Sequence, residues 1–409
     1  MASGSNFGDF WSLVSNNLVR QLIRFTKKKH QVEKNTIQES KQRGVVFLVL
    51  LLLTIGVVFV ADVSSPQAMQ VFQDPYFFAK QQIVWSVVGL FLMVVGYLIP
   101  YVFWRKISPF LFGITILILI LVLLPGLGSK VLGARRWLVL GPVRFQPAEV
   151  VKLTLAMIFA KMLADGARRW ILIILLFIVG GLIMLQPDLG TTLIVLMIGM
   201  GQIFISGFSI IYFLGLGLSG FTGGFILVWL SDYRKDRLMS FINGLSHPLE
   251  SSYHVKQILL AIGSGGFLGV GLGQSRQKHL FLPETATDSV FAIIAEEIGF
   301  VGSLIIIALL ALLVMRLIKL CLSIRDDFGY FLAVGIVVWI SGQIIVNLTS
   351  MVALTPLTGV PLPFFSYGGS SLTMILFSIG ILLNIAKTKM SVERSYVGRI
   401  KRTGNEKRT

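Results

Sequence analysis

Apolar stretches of about 20 residues recur along this chain, and a stretch of that length crosses a bilayer as a helix. They fall at roughly 44–62, 80–100, 104–124, 147–164, 170–186, 189–207, 209–230, 290–318, 328–350 and 369–386. Only 13% of residues are charged and 55% are hydrophobic, whereas a soluble domain carries about a quarter charged residues. The fold class read from this is all-α, a polytopic membrane protein with about ten transmembrane helices. The lone cysteine, Cys321, leaves no room for a disulfide framework or a Cys-built metal site.

Basic residues set the orientation. They crowd the N-terminal segment from Arg20 to Arg43, the C-terminal tail from Lys387 to Arg408, and loops marked by Arg105-Lys106, Arg168-Arg169 and Arg316, Lys319 and Arg325. An even number of spans with both termini cytoplasmic satisfies all of these together. The chain then divides into a cytoplasmic basic segment at 1–43, a transmembrane domain at 44–387 and a cytoplasmic basic tail at 388–409. Within the domain, a large outer loop at about 231–289 joins helices 7 and 8. Phe7, Phe10, Trp11, Val14, Leu18, Leu22 and Phe25 recur at steps of three and four, which suits a helix lying in the headgroup region or a loosely ordered basic tail. The net charge of +17 points to an anionic bilayer rather than to nucleic acid, because it lies in tails and interhelical loops.

Two outer loops are basic against that bias. One holds Lys130, Arg135, Arg136 and Arg144; the other holds Arg234, Lys235, Arg237, Lys256, Arg276 and Lys278. Cations kept on the outer face fit an anionic ligand, or pairing with lipid headgroups; the sequence leaves both open.

Acids gather at the mouth of the eighth span. Asp288 stands just before the apolar run from Val290, where a carboxylate either caps the helix or is used in chemistry; use is the expectation. Glu284, Glu296 and Glu297 lie nearby and offer ion pairs or a cation site. The preceding stretch, Ala261 to Gly273, is dense in glycine and permits either close backbone packing or phosphate contact through N–H groups. Glu149 and Lys152, three apart on the fourth span, share a helix face and are expected to pair. Asp188, in Gln186-Pro187-Asp188, reads as a helix cap in a short turn, with substrate contact as the alternative. Gly359-Val360-Pro361-Leu362-Pro363-Phe364-Phe365 followed by Ser366-Tyr367-Gly368-Gly369-Ser370-Ser371 predicts irregular backbone against a cavity. Gln343 and Asn347 put a polar stripe toward it, with Ser366 and Ser370 supplying replacement hydrogen bonds.

At these stretches the chain closely resembles the SEDS family of bacterial membrane proteins: FtsW, RodA and SpoVE. The resemblance runs from about 44 to 387 and rests on GARRWLVLGPVRFQPAE at 133–149, QPDLGTT at 186–192, SGGFLGVGLGQSRQKHLFLPE at 264–284 and GVPLPFFSYGGSS at 359–371. Ser275-Arg276-Gln277-Lys278 looks more like the FtsW/SpoVE-type division and sporulation branch than the RodA branch, and the choice among division, elongation and sporulation stays open.

The resemblance implies a peptidoglycan glycosyltransferase that polymerises lipid II into glycan strands at the outer face of the cytoplasmic membrane. Asp288 matches the family's catalytic aspartate, separated from Leu282-Pro283-Glu284 by three residues, and would act as general base with inversion at the anomeric carbon. Two positions depart from the family pattern: Ala286 stands where histidine is common, and Ser289 where phenylalanine is. Arg135, Arg136, Arg237, Arg276 and Lys278 are candidates for the leaving pyrophosphate. The family implies a divalent cation, Mg²⁺ or Mn²⁺, with Asp288 among its conceivable ligands, and a class B penicillin-binding protein as partner. A lipid II flippase and a scaffold recruiting that transpeptidase are the alternatives. Neither needs a general base.

Overall fold

The computed structural model describes residues 6–124, 128–131, 134–140, 143–209, 253–279 and 287–405, with scattered positions between 211 and 239. Side chains are described within 39–387 of these, apart from positions 129–131, 134, 135, 139, 140, 143 and 144. The described residues form ten helices: α1 (Asn6–Phe72), α2 (Phe77–Leu98), α3 (Tyr101–Leu123), α4 (Pro147–Ala164), α5 (Arg169–Met184), α6 (Leu189–Ile205), α7 (Tyr253–Ser264), α8 (Val290–Cys321), α9 (Asp327–Met351) and α10 (Gly369–Asn405). Nine of the ten expected spans fall on these helices; the one at 209–230 lies largely outside the described residues. Among the described residues six helical segments are long and apolar enough to cross a membrane, and α5 and α6 are shorter apolar helices. The chain is a multi-pass, mainly α-helical membrane protein.

Burial patterns place the helices. From Pro147 to Ala160, α4 is buried at every position but Val150, and α9 is buried on most of its circumference. Helices apolar and buried all round form the interior of a bundle. By contrast α1 buries Val45, Leu48, Val49, Leu52 and Leu53 while turning Phe47, Leu50 and Val58 outward. Those outward side chains are apolar, as a lipid-facing surface must be. Buried polar side chains tie the interior: Gln202 of α6 donates to the carbonyls of Ala156 and Phe331, both at 2.9 Å, joining α4 to α9. The contact of α2 with α10 is close enough that a Cβ on Gly380 would come within 2.1 Å of Met93 O, the small-residue packing typical of membrane helices.

The all-α reading needs one addition. Between α3 and α4 the chain makes a three-stranded antiparallel sheet, β1 (Gly128–Val131), β2 (Ala134–Leu140) and β3 (Val143–Phe145), in the order β1-β2-β3. Leu138 pairs with Gly128 on one side and with Phe145 on the other, and the register shifts between Ser129 and Lys130. The stretch expected to be a basic loop is therefore a β-meander. A meander satisfies its own backbone groups locally, which a loop beside a membrane has to do in some other way.

The apolar run after Asp288 is two helices. Gly299 breaks α8 with φ 69° and ψ −168°, a left-handed conformation that glycine tolerates. Residues 265–271 cover the break. Val270 N and Gly271 N donate to Glu296 O and Glu297 O at 3.0 Å each, and Phe300 N donates to Gly266 O at 2.9 Å. Peptide groups freed by a helix break inside a membrane need such partners. The backbone packing expected of the glycine-rich run is present: a Cβ on Gly269 would fall 2.1 Å from Glu297 O.

Candidate active site

Asp288 sits half-buried immediately ahead of α8, with Ser289 as the N-cap residue. Its main-chain oxygen accepts from Asn347 Nδ2 at 3.1 Å. Its carboxylate lies against Gly359, where a Cβ would stand 3.3 Å from Oδ2. Gly359 has φ 74°, so both its conformation and the neighbouring carboxylate favour glycine there. Ser289 is fully buried, and instead of capping α8 its Oγ lies 2.8 Å from His254 Nε2 on the first turn of α7.

Behind Asp288 a polar thread runs into the bundle. Asn347 Nδ2 also donates to Val360 O at 2.8 Å. One turn earlier on α9, Gln343 Nε2 donates to Pro361 O at 2.9 Å and to Ser371 Oγ at 3.2 Å. Gln343 Oε1 accepts from Trp339 Nε1 at 2.9 Å and from Lys152 Nζ at 3.3 Å. Lys152 pairs with Glu149 at 2.7 Å, both almost wholly buried, and its ammonium stands 5.2 Å from the Trp339 ring centroid. The pair expected from i,i+3 spacing is present. An ammonium buried this deeply requires the carboxylate, the amide oxygen and the ring face around it.

The irregular segment 359–371 is held at each end. Ser366 Oγ accepts from Leu362 N at 2.8 Å, while Ser366 O takes a bond from Gln82 of α2 at 3.4 Å. Ser370 Oγ accepts from Gln146 N at 3.3 Å, and Gln146 Nε2 donates to Asp188 at 3.3 Å. Asp188 caps α6 by accepting from Thr191 N at 3.0 Å, as the capping reading expected. Phe364 is buried at φ 71°, and its carbonyl lies so near Gly56 that a Cβ there would come within 2.1 Å. Non-glycine residues in left-handed backbone are strained, and such strain gathers at functional sites.

Among the described residues, Glu296 and Glu297 do not join Asp288. Glu296 takes bonds from Arg276 N at 3.1 Å, from Gln277 N at 3.4 Å and from the Ser275 hydroxyl. Glu297 accepts from Lys278 Nζ at 2.8 Å, and the same ammonium reaches Asp62 of α1 at 2.8 Å. Lys278 is buried among these carboxylates. Burial alone would lower the Lys278 ammonium, but its hydrogen bonds to Asp62 and Glu297 outweigh that and hold it above the ordinary lysine value. Its charge is engaged inside the fold by two carboxylates, a pairing the sequence did not suggest. Arg136 is likewise engaged, donating to Gln186 O at 3.0 Å and to Pro187 O, so it ties β2 to the α5–α6 turn. Arg276 is exposed. The side chain of Arg135, and Arg237, Glu284 and Ala286 altogether, lie outside the described residues.

Among the described residues no group of three or more His, Cys, Asp or Glu is placed to hold a metal ion. A cavity of about 270 Å³ opens between α3, α4 and α10, with Trp104, Leu111, Phe145, Pro147, Met157 and Phe377 among its apolar walls. Sequence reasoning missed His254 and Asp62. Asp62 carried a signal, a carboxylate at the end of the apolar run of α1; His254 carried none, because its partner lies 35 positions away.

Residues 43–391 match the family model named for FtsW, RodA and SpoVE and described as cell cycle protein. Stage V sporulation protein E of Bacillus subtilis is 40% identical over 360 residues, covering 86% of this chain and 98% of its own. A protein named probable peptidoglycan glycosyltransferase FtsW, of Haemophilus influenzae, is 37% identical over 357 residues, covering 84% and 89%. Among solved structures, a chain reported under structural coordination of polymerization and crosslinking by a peptidoglycan synthase complex superposes with a TM-score of 0.68 at 29% identity, covering 84% of this chain and 97% of that one. Rod shape determining protein RodA of Thermus thermophilus superposes at 0.62 with 32% identity, covering 84% and 96%. By sequence along nearly the whole membrane domain and by fold, this chain belongs to the FtsW/RodA/SpoVE family.

Proposed function

We propose that this protein is a peptidoglycan glycosyltransferase of cell-wall synthesis that polymerises lipid II, with Asp288 as general base. The observation that carries the assignment of the base is the seat of Asp288. Its main chain is clamped by Asn347 and its carboxylate faces Gly359 at the head of α8, while among the described acids nearby Glu296 and Glu297 hold the 275–278 segment.

In the reaction an acceptor sugar hydroxyl attacks the anomeric carbon of a lipid-linked donor. A C–O bond forms there, the bond to the pyrophosphate oxygen breaks with inversion, and the hydroxyl proton passes to Asp288. The polyprenyl diphosphate leaves with the bonding electrons, and Arg276, exposed next to the Glu296 seat, is the cation for its growing charge. A divalent cation is part of the proposal. With no protein cluster for it among the described residues, its ligands would come mainly from the diphosphate and water, as Mg²⁺ commonly accepts. The apolar cavity beside α4 suits a polyprenyl tail.

The same reading sets the Asp288 end outward and both termini inward across the bacterial cytoplasmic membrane, with a class B penicillin-binding protein as partner. The test is polymerisation of lipid II by the purified protein and by Asp288→Asn, with and without the partner. Glycan strands that vanish in the variant, with the fold intact, support the base; strands that persist remove Asp288 from the role.

A further inference from the structure

We infer that His254 is a positioning residue for Asp288, acting through Ser289. The inference rests on the reading of Asp288 as the base. A general base must hold its carboxylate on the reacting hydroxyl, and displacement by about 1 Å costs on the order of 100-fold in rate. The peptide that carries Asp288 is restrained from two sides. On one, Asn347 of α9 donates to the Asp288 carbonyl at 3.1 Å. On the other, His254 of α7 meets the hydroxyl of the next residue, Ser289, at 2.8 Å.

The contact is built rather than incidental. A serine at an N-cap ordinarily turns its oxygen to the free N–H groups of the first turn, and Ser289 does not. Its hydroxyl is fully buried, so imidazole is the partner that satisfies it. His254 is half-buried, on a helix that packs against α8 and leads directly into the glycine-rich segment covering the α8 break. The His254–Ser289 hydrogen bond therefore links α7 directly to the residue that follows Asp288.

The test uses the purified full chain with its transpeptidase partner and lipid II, comparing His254→Leu, His254→Gln, Ser289→Ala, the Leu/Ala double variant and Asp288→Asn. Expected is a fall in kcat of roughly 10- to 100-fold in His254→Leu with KM unchanged and the protein folded at the assay temperature, despite the modest drop in melting temperature that the unsatisfied Ser289 hydroxyl brings. His254→Gln, whose amide reaches the same point, restores most of the turnover. Ser289→Ala loses as much as His254→Leu, and the double variant loses no more than either single one. Full turnover in His254→Leu, a loss that merely follows falling stability, or additive losses in the double variant overturns the inference while leaving Asp288 as the base. Turnover surviving in Asp288→Asn overturns the base, and the inference with it.

Discussion

The side-chain amide of Asn347 donates to the main-chain oxygen of Asp288 at 3.1 Å and, with the same nitrogen, to that of Val360 at 2.8 Å. One side chain therefore fixes the proposed base to the irregular segment that lies against it. Gln343, one turn away, repeats the arrangement with Pro361 and passes it on to the Glu149–Lys152 pair. The site is held by backbone carbonyls taking side-chain donors from α9, so its geometry depends on a rigid interior helix rather than on the loops it joins.

Replacing Asn347 by alanine leaves both carbonyls without this donor in a buried setting. A loss of about 1–3 kcal/mol in stability is expected, together with a fall in polymerisation on the order of 100-fold as the Asp288 peptide loosens. Thermal unfolding in detergent and lipid II turnover measure the two separately. Unchanged turnover in a folded Asn347→Ala protein would show that the clamp is dispensable.

Lys152→Met is expected to be the more damaging change. It leaves the Glu149 carboxylate buried with no cation, and among the described residues Glu149 Oε2 already has no hydrogen-bond partner. Breaking a buried pair from one side costs about 3–5 kcal/mol. The double variant Glu149→Gln/Lys152→Met should lose less than Lys152→Met alone, because no isolated charge remains. A double-variant cycle read by thermal unfolding decides it; additive losses would mean the two side chains do not depend on each other.

Much of this architecture could be read before the fold was known, for identifiable reasons. Hydropathy located nine helices because a lipid-facing or interior helix must be apolar for its whole length. The Glu149–Lys152 pair and the Asp188 cap were legible because both are local, set by three-residue spacing on a helix. The engagement of Lys278 was not, since its partners lie 216 and 19 positions away. The break at Gly299 was hidden because hydropathy cannot see a backbone angle inside an apolar run. Strands β1 to β3 escaped notice because their basic residues suggested a surface loop, and the shortest has three residues.

Gly269→Ala is expected to destabilise by about 3 kcal/mol or more, through left-handed backbone and collision with the α8 break. Gly269 has φ 84°, and the added Cβ would lie 2.1 Å from Glu297 O and 2.7 Å from Gly299 N. Gly263→Ala, where nothing lies within 4 Å, serves as the control. Equal melting temperatures for the two variants would mean the 265–271 segment is not seated on the break in solution.

The bonds from Lys278 to Asp62 and Glu297 predict a pH dependence of stability whose sign is fixed. Its ammonium is held above the ordinary lysine value by hydrogen bonds that outweigh burial. A base raised in the folded state stabilises the fold fully while the unfolded chain is protonated as well, and loses that contribution as pH rises through the raised value. Stability should therefore be insensitive to this group at neutral pH and decline in the alkaline range, beginning at the ordinary lysine value. Lys278→Met should be less stable at neutral pH, since two carboxylates then share a buried site with no cation, and its alkaline decline should be shallower than that of the unmodified protein. Melting temperatures of both proteins between neutral and strongly alkaline pH are the measurement. Parallel curves would mean that Lys278 does not stabilise the fold through its charge, and that the joint between α1, the segment before α8 and α8 itself is held by packing instead.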